Sequence, residues 1–126
     1  MNTTLILAII TITLALIFYT IGVFSERRSG ELNWKHVGLF ALGLIFDTTG
    51  TTIMSGLVTA GNAANPLHQI TGMLAILLMA FHLIWAIIVL LRKNEKAKAT
   101  FHKFSLVVWL FWLIPYVIGM LIGMGI

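Results

Sequence analysis

Long apolar runs alternate with short polar segments along this chain, and the pattern predicts four membrane-spanning helices. The runs cover about residues 4–24, 36–58, 67–91 and 104–123. Each has roughly the 20 residues that an α-helix needs to cross a bilayer. Because the connecting segments are short, neighbouring helices should run in opposite directions. We therefore predict an all-α fold in which residues 1–126 form one domain, an integral membrane antiparallel four-helix bundle.

The composition supports a membrane protein over a soluble one. Hydrophobic residues make up 60% of the chain and charged residues 10%, with a mean hydropathy of +1.03. A soluble domain of this size needs more charge to cover its surface. The net charge of +4 does not indicate nucleic-acid binding, because the basic residues lie in two short segments between apolar runs. The chain has no cysteine, which excludes disulfides, cysteine-ligated iron–sulfur clusters and covalent c-type heme attachment.

The loop charges predict how the bundle is oriented. The segments SERRSGELNWK and RKNEKAKATFHK are basic, whereas TAGNAAN is uncharged. Basic loops remain on the cytoplasmic side, so the neutral loop and both termini should lie outside, an N-out/C-out topology. The start, MNTTLIL, has no Lys or Arg and no Ala-x-Ala-like site follows, so we expect no cleaved signal peptide.

Histidines occur within or at the ends of three spans, where an ionisable side chain suggests function. His36 and His102 lie at the basic ends of the second and fourth spans, which are diagonal partners in a sequential square bundle. A porphyrin fits between diagonal helices with one axial ligand from each, so His36 with His102 is the first ligand pair that we predict. His68 and His82 are further axial candidates for heme iron, about four turns or 21 Å apart on one face of the third span.

Asp47 is expected at about the same depth as His82. It lies about eleven residues into the second span, and His82 lies about nine residues from the cytoplasmic end of the third. A carboxylate bonded to one ring nitrogen orients a histidine as a metal ligand. The same two residues could instead form a proton relay or a buried structural pair. Thr51 lies on the same helix face as Asp47, and both residues are candidates for the lining of a pocket.

Several other residues on the histidine faces are expected to line a cofactor pocket or packing contacts. Small or flexible side chains lie between the two histidines of the third span, and aromatic residues and a methionine share the His102 face. These pocket candidates are Gly72, Ala75, Met79, Trp109, Tyr116 and Met120. Met120 could also pair with His68 as a His/Met ligand set.

Four basic residues lie near the predicted ligand pair. They could bind the propionates of a heme at the cytoplasmic surface. They equally suit orientation of the bundle and attraction to anionic lipid. These residues are Arg27, Arg28, Lys35 and Lys103.

The layout resembles a known family. Four short spans, with HQITG opening the third, FHLIWA inside it and FHK opening the fourth, resemble the small bacterial heme-sensing membrane proteins of the HsmA type. The likeness covers essentially the whole chain in length and span layout. It implies a multi-pass protein of the bacterial plasma membrane that binds b-type heme non-covalently. It further implies capture or buffering of heme and protection against oxidative stress, without enzymatic turnover being established.

Other functions remain open from the sequence. A cytochrome b-like subunit could pass electrons between heme and quinone, but would need a redox partner. A small four-span transporter usually has an acidic residue in its first span, which is absent here, although Asp47 could replace it. A histidine-bound copper or zinc site is a further alternative. Bundles of this size often form homodimers, which could bring two copies of His82 together.

Overall fold

The chain folds into four α-helices. A computed structural model describes residues 3–59 and 66–123, with side-chain surroundings for 3–56 and 69–121. The helices are α1 (Thr3–Ser29), α2 (Trp34–Thr59), α3 (Pro66–Leu91) and α4 (Glu95–Gly123). All four are long and apolar enough to cross a membrane. The predicted all-α fold with four apolar helices is therefore confirmed.

The helices form a sequential square. Within the described ranges, α1 packs on α2, α2 on α3, α3 on α4 and α4 on α1, and the backbones of the diagonal helices do not approach each other. The α1–α2 pair is the most extensive of these contacts. Helices α2 and α4 are diagonal partners, as are α1 and α3.

Buried positions recur at alternating intervals of three and four residues, which is the spacing of helices packed as in a coiled coil. On α3 this series is Ala75, Met79, His82, Ala86 and Val89. On α2 it is His36, Phe40, Gly43, Asp47 and Gly50. On α4 it is Phe101, Ser105, Val108, Trp112 and Pro115. Polar side chains thus occupy the same inward seam as the apolar core.

Glycines allow the close approach of α1 and α2. A Cβ atom on Gly43 would lie 2.5 Å from the Tyr19 ring, and one on Gly22 would lie 2.7 Å from Phe40. Gly50 is similarly covered by Ile12, 2.6 Å from such a Cβ atom. Small residues at a helix interface let two backbones approach closely, as is common in membrane bundles. The large side chains of each helix therefore fill the space that the glycines leave.

Two helices, α1 and α4, extend five and nine residues beyond the predicted apolar runs at the basic end. Helix α1 continues to Ser29 instead of ending near Phe24, and stops at Gly30, whose φ of 82° suits a helix C-terminus. Helix α4 begins at Glu95, nine residues before the predicted span, because Asn94 Oδ1 accepts the Ala97 N–H at 3.1 Å. Hydropathy finds the apolar part of a helix and misses such polar end turns.

Candidate functional site

A buried hydrogen-bonded chain joins α1, α4 and α3 near the basic end of the bundle. The hydroxyl of Ser105 donates to Glu26 Oε1 at 2.9 Å, and its oxygen lies 2.7 Å from His82 Nε2. The side chains of Glu26, His82 and Ser105 are fully buried. Three helices are therefore connected through one serine hydroxyl.

The single hydroxyl hydrogen of Ser105 determines which atoms donate in these two hydrogen bonds. A hydroxyl has one hydrogen, and with an ionised Glu26 that hydrogen is used on the carboxylate. His82 Nε2 must then be the protonated nitrogen that donates to Ser105, which leaves Nδ1 with a lone pair. His82 Nδ1 and Glu26 Oε2 are both buried without a hydrogen-bond partner. The hydrogen-bonded chain therefore ends in two buried polar atoms that have no partner.

Aromatic rings enclose His82. The Phe40 ring meets it edge-on with centroids 4.5 Å apart, and the Phe101 and Phe104 rings lie at 5.1 and 5.7 Å. These phenyl groups separate the imidazole from the outside of the bundle. A homodimer contact through His82 is therefore inconsistent with the position of this side chain, which is 0% exposed.

His36 caps the start of α2. Its Nδ1 accepts the backbone N–H of Asn33 at 3.1 Å, while Asn33 Oδ1 accepts the N–H of Lys35 at 3.1 Å. This is a capping box in which histidine takes the place of the usual Glu or Gln three residues after the cap. Because Nδ1 accepts, the neutral ring carries its proton on Nε2. Nε2 is buried near the Ser25 backbone but makes no hydrogen bond of good geometry.

In the part of the chain that the structure describes, four buried polar side-chain atoms near the basic end make no hydrogen bond of good geometry, one on each helix. They are Glu26 Oε2, His36 Nε2, His82 Nδ1 and His102 Nδ1. Buried polar atoms in proteins are almost always bonded, and exceptions often mark a site completed by water, an ion or a ligand. Among the described residues, no three His, Asp or Glu side chains are grouped closely enough to hold one metal ion. The four atoms lie on four different helices. This distribution suits contacts to water or to a ligand larger than a metal ion.

A second polar layer surrounds Asp47. Its Oδ2 accepts the hydroxyl of Tyr19 at 3.0 Å and the indole N–H of Trp112 at 2.8 Å. The two aromatic rings meet edge-to-face, with centroids 5.2 Å apart. The Thr51 hydroxyl is a third donor within reach of this carboxylate. A carboxylate with such donors around it is satisfied inside an apolar core.

The two polar layers are separated by seven residues on α1 and α4, and the same interval separates Asp47 from Phe40, the neighbour of His82, on α2. Tyr19, Asp47 and Trp112 each lie seven positions from Glu26, Phe40 and Ser105, respectively. Seven residues correspond to about 10.5 Å of helix rise. The expected contact between Asp47 and His82 is therefore not formed, and each side chain has other partners.

The remaining pocket candidates take different positions. Ala75 and Met79 are buried in the apolar cluster beside Tyr19 and Trp112. The Trp109 indole donates to Thr20 Oγ1 at 3.0 Å, and the Tyr116 hydroxyl lies 3.4 Å from Thr13 Oγ1. Gly72 is half-buried and Met120 is exposed. His68 lies in the first turn of α3, and its side chain is outside the described residues.

The four predicted propionate ligands are all exposed at the basic end. Arg27, Arg28, Lys35 and Lys103 surround the end of the bundle at which the unpartnered histidine atoms occur. Lys35 and Ser25 also line an outward-facing groove of about 680 Å³ between α1 and α2, whose other walls are apolar. A smaller groove of about 180 Å³ between α3 and α4 includes Ala75.

Glu26 and Ser105 are functional-site candidates that the sequence pattern does not predict. Glu26 lies next to two arginines in a segment that was interpreted as a loop, and a lone serine in an apolar run is a weak signal. The three-and-four spacing that places Ser105 between Phe101 and Val108 could have indicated its inward position. No family model, curated protein or solved structure significantly matches this chain.

Proposed function

We propose that this chain is an N-out/C-out membrane bundle that binds b-type heme non-covalently, with His36 and His102 as the axial pair. The observation that carries the proposal is that these histidines lie on diagonal helices near one end of the bundle, each with a buried ring nitrogen that makes no hydrogen bond of good geometry. Imidazole is a common axial ligand of heme iron. The function that follows is capture or buffering of heme, which limits oxidative damage by the free cofactor.

The chemistry of the donor set fits heme better than a single metal ion. The described His, Asp and Glu side chains form no group of three that would hold one ion, whereas heme needs from the protein only one or two axial ligands. Exposed cations at the same end of the bundle, Arg27, Arg28, Lys35 and Lys103, suit carboxylate groups such as propionates. When bound, heme would supply one-electron redox chemistry.

Two local changes are required of the protein. If His36 binds through Nε2, the proton of that atom must move to Nδ1, which then loses the Asn33 N–H as a partner. Losing one such hydrogen bond costs about 1 kcal/mol. The Phe40, Phe101 and Phe104 rings must also turn aside, since they fill the interior beside Ser105 and His82. These rings would then line the flat apolar faces of the macrocycle.

His82 is not assigned to the proposed pair. Its Nε2 is bonded to Ser105, and three phenyl rings enclose the imidazole. His82→Gln is therefore a useful comparison, because it changes a buried histidine near the proposed site without changing either proposed ligand.

The test is a hemin titration of the detergent-purified protein followed by visible spectroscopy. The wild type should develop a Soret band that shifts on reduction, with sharp α and β bands. His36→Ala and His102→Ala should each abolish the low-spin spectrum, whereas His82→Gln and His68→Ala should retain it. Circular dichroism and gel filtration establish that each variant is folded.

Three results would contradict the proposal. A folded wild type that takes up no hemin excludes heme binding and favours a transport function. Retention of the low-spin spectrum in both His36→Ala and His102→Ala excludes this ligand pair. If His68→Ala loses the low-spin spectrum and His36→Ala retains it, the heme site lies at the other end of the bundle.

A further inference from the structure

Glu26, Ser105 and His82 have the connectivity of a proton-transfer chain. The two hydrogen bonds, 2.7 and 2.9 Å long, run through one hydroxyl that both donates and accepts. A hydroxyl in this position passes a proton by accepting one hydrogen while releasing the other. All three side chains are fully buried, so bulk water does not interrupt the chain.

The atoms at the two ends of this hydrogen-bonded chain lack a partner. Glu26 Oε2 and His82 Nδ1 are the terminal polar atoms, and each is buried without a partner. A purely structural network would be expected to satisfy its terminal atoms, because an unpaired buried polar group costs about 1–3 kcal/mol. An atom through which a proton enters or leaves must instead remain available.

We propose that Glu26, Ser105 and His82 form a buried proton relay that moves a proton between the interior at His82 and the α1 end at Glu26. The relay is proposed for the heme-free protein, and none of its members belongs to the proposed axial pair. His36 Nε2 and His102 Nδ1 make no hydrogen bond to these three residues, and His36 Nδ1 accepts from the Asn33 N–H.

The transfer balances without any further reactant. In the starting state Glu26 is ionised, Ser105 donates to it, and His82 carries its proton on Nε2. A proton arriving at Nδ1 lets the Nε2 proton pass to Ser105 Oγ, while the hydroxyl hydrogen passes to Glu26 Oε1. The final state has a neutral Glu26 carboxyl group and a neutral His82 protonated on Nδ1. One proton has been added, and no electron has moved.

The surroundings of His82 favour the neutral final state over a state in which His82 is an imidazolium. Around the relay, α2 contributes Phe40 and α4 contributes Phe101 and Phe104. The other described titratable groups at this end include His36 on α2 and His102 on α4. Lys98 on α4 is half-buried and paired with Glu95 at 3.1 Å, while Asp47 and Tyr19 lie one layer further in. Arg27 and Arg28 are exposed. An imidazolium would thus be desolvated without a directly bonded carboxylate, whereas the relay leaves His82 neutral.

The test follows both ends of the relay in heme-free protein reconstituted into liposomes. Nitrogen-15 NMR of labelled histidine reports the tautomer of His82, assigned by comparison with His82→Gln. Infrared spectroscopy reports the protonated carboxyl group of Glu26, assigned by comparison with Glu26→Gln. The pH is lowered from about 8 to about 5, the range in which histidine environments commonly titrate.

The relay predicts that His82 changes from the Nε2–H to the Nδ1–H tautomer at the pH at which the Glu26 carboxyl band appears. Glu26→Gln and Ser105→Ala should each abolish the tautomer change, and Ser105→Thr should restore it by keeping a hydroxyl. Glu31→Gln removes an exposed carboxylate at the same end and should change neither signal.

Two outcomes in the wild type alone would overturn the relay, so the test does not require that every variant folds. One is an imidazolium signal from His82 while Glu26 stays ionised, which would indicate an ion pair. The other is no change in either group over the whole range, which would indicate a fixed structural network. Hemin binding is measured separately, so its failure would leave these results interpretable.

Discussion

Ser105 and Trp112 lie two turns apart on the inward face of α4, and each donates a hydrogen bond to a buried carboxylate. Ser105 donates to Glu26 on α1, and Trp112 donates to Asp47 on α2. Helix α4 therefore anchors two polar layers that alternate with apolar ones along the bundle axis. The two layers differ in one respect: the Asp47 carboxylate has several donors, whereas Glu26 has a free oxygen.

The Asp47 layer should be a strong source of stability. Asp47→Ala leaves the Tyr19 hydroxyl and the Trp112 indole N–H buried without an acceptor. Each unpaired group costs about 1–3 kcal/mol, so we expect a loss of about 3 kcal/mol in the free energy of unfolding. The measurement is reversible unfolding in mixed detergent followed by circular dichroism.

A double-mutant cycle isolates the Tyr19–Asp47 hydrogen bond. Tyr19→Phe should cost about 1 kcal/mol in the wild-type background. It should cost less, or stabilise, in the Asp47→Ala background, because the unpaired hydroxyl is then removed. Equal effects of Tyr19→Phe in the two backgrounds would show that the bond contributes nothing.

Glycine substitutions distinguish the α1–α2 interface from the outside of the same helix. Gly43→Ala places a Cβ atom 2.5 Å from the Tyr19 ring, whereas Gly38→Ala meets nothing within 4 Å. We expect Gly43→Ala to destabilise by about 1–3 kcal/mol through overpacking. Gly38→Ala should be neutral or stabilise by up to about 1 kcal/mol, because alanine has the higher helix propensity. Similar unfolding free energies for the two variants would contradict this packing of α1 on α2.

The four helices could be predicted from sequence because their apolar runs have the length of a membrane span. Which faces point inward was harder to predict, since α1 and α2 are apolar nearly all around. The depth of Asp47 in the bundle was also predicted inaccurately. Asp47 lies thirteen residues from the start of α2 at Trp34, whereas His82 lies nine residues from the end of α3 at Leu91. Estimating both depths from the apolar runs placed them in one layer, although they occupy two.

The candidate site was predictable only in part for a related reason. His36 and His82 were identified because a buried ionisable residue is conspicuous in an apolar run. Glu26 was not, because Arg27 and Arg28 follow it and the helix was expected to have ended already. The side-chain partners themselves depend on the register of α1 against α4, which no local pattern in the sequence determines.

Two phenylalanines on α4 test whether its early turns belong to the bundle. Phe101 is buried against Leu32 and His82, whereas Phe111 is 55% exposed. Phe101→Ala should lower the free energy of unfolding by about 3 kcal/mol, as expected for deletion of a core ring. Phe111→Ala should change it by well under about 1 kcal/mol, because its ring leaves no internal cavity. Equal losses in detergent unfolding would show that residues 95–103 do not pack as described.

The proposed N-out/C-out orientation can be tested cleanly because the chain contains no cysteine. Ser29 is exposed at the basic end of α1, and Ser55 is exposed near the opposite end of α2. The basic end should remain in the cytoplasm, since loops rich in Lys and Arg resist translocation. In intact cells, a membrane-impermeant thiol reagent should label Ser55→Cys and leave Ser29→Cys unlabelled. After permeabilisation both variants should be labelled, which controls for reactivity. The reverse pattern would invert the bundle, and labelling of both variants in intact cells would contradict a single orientation.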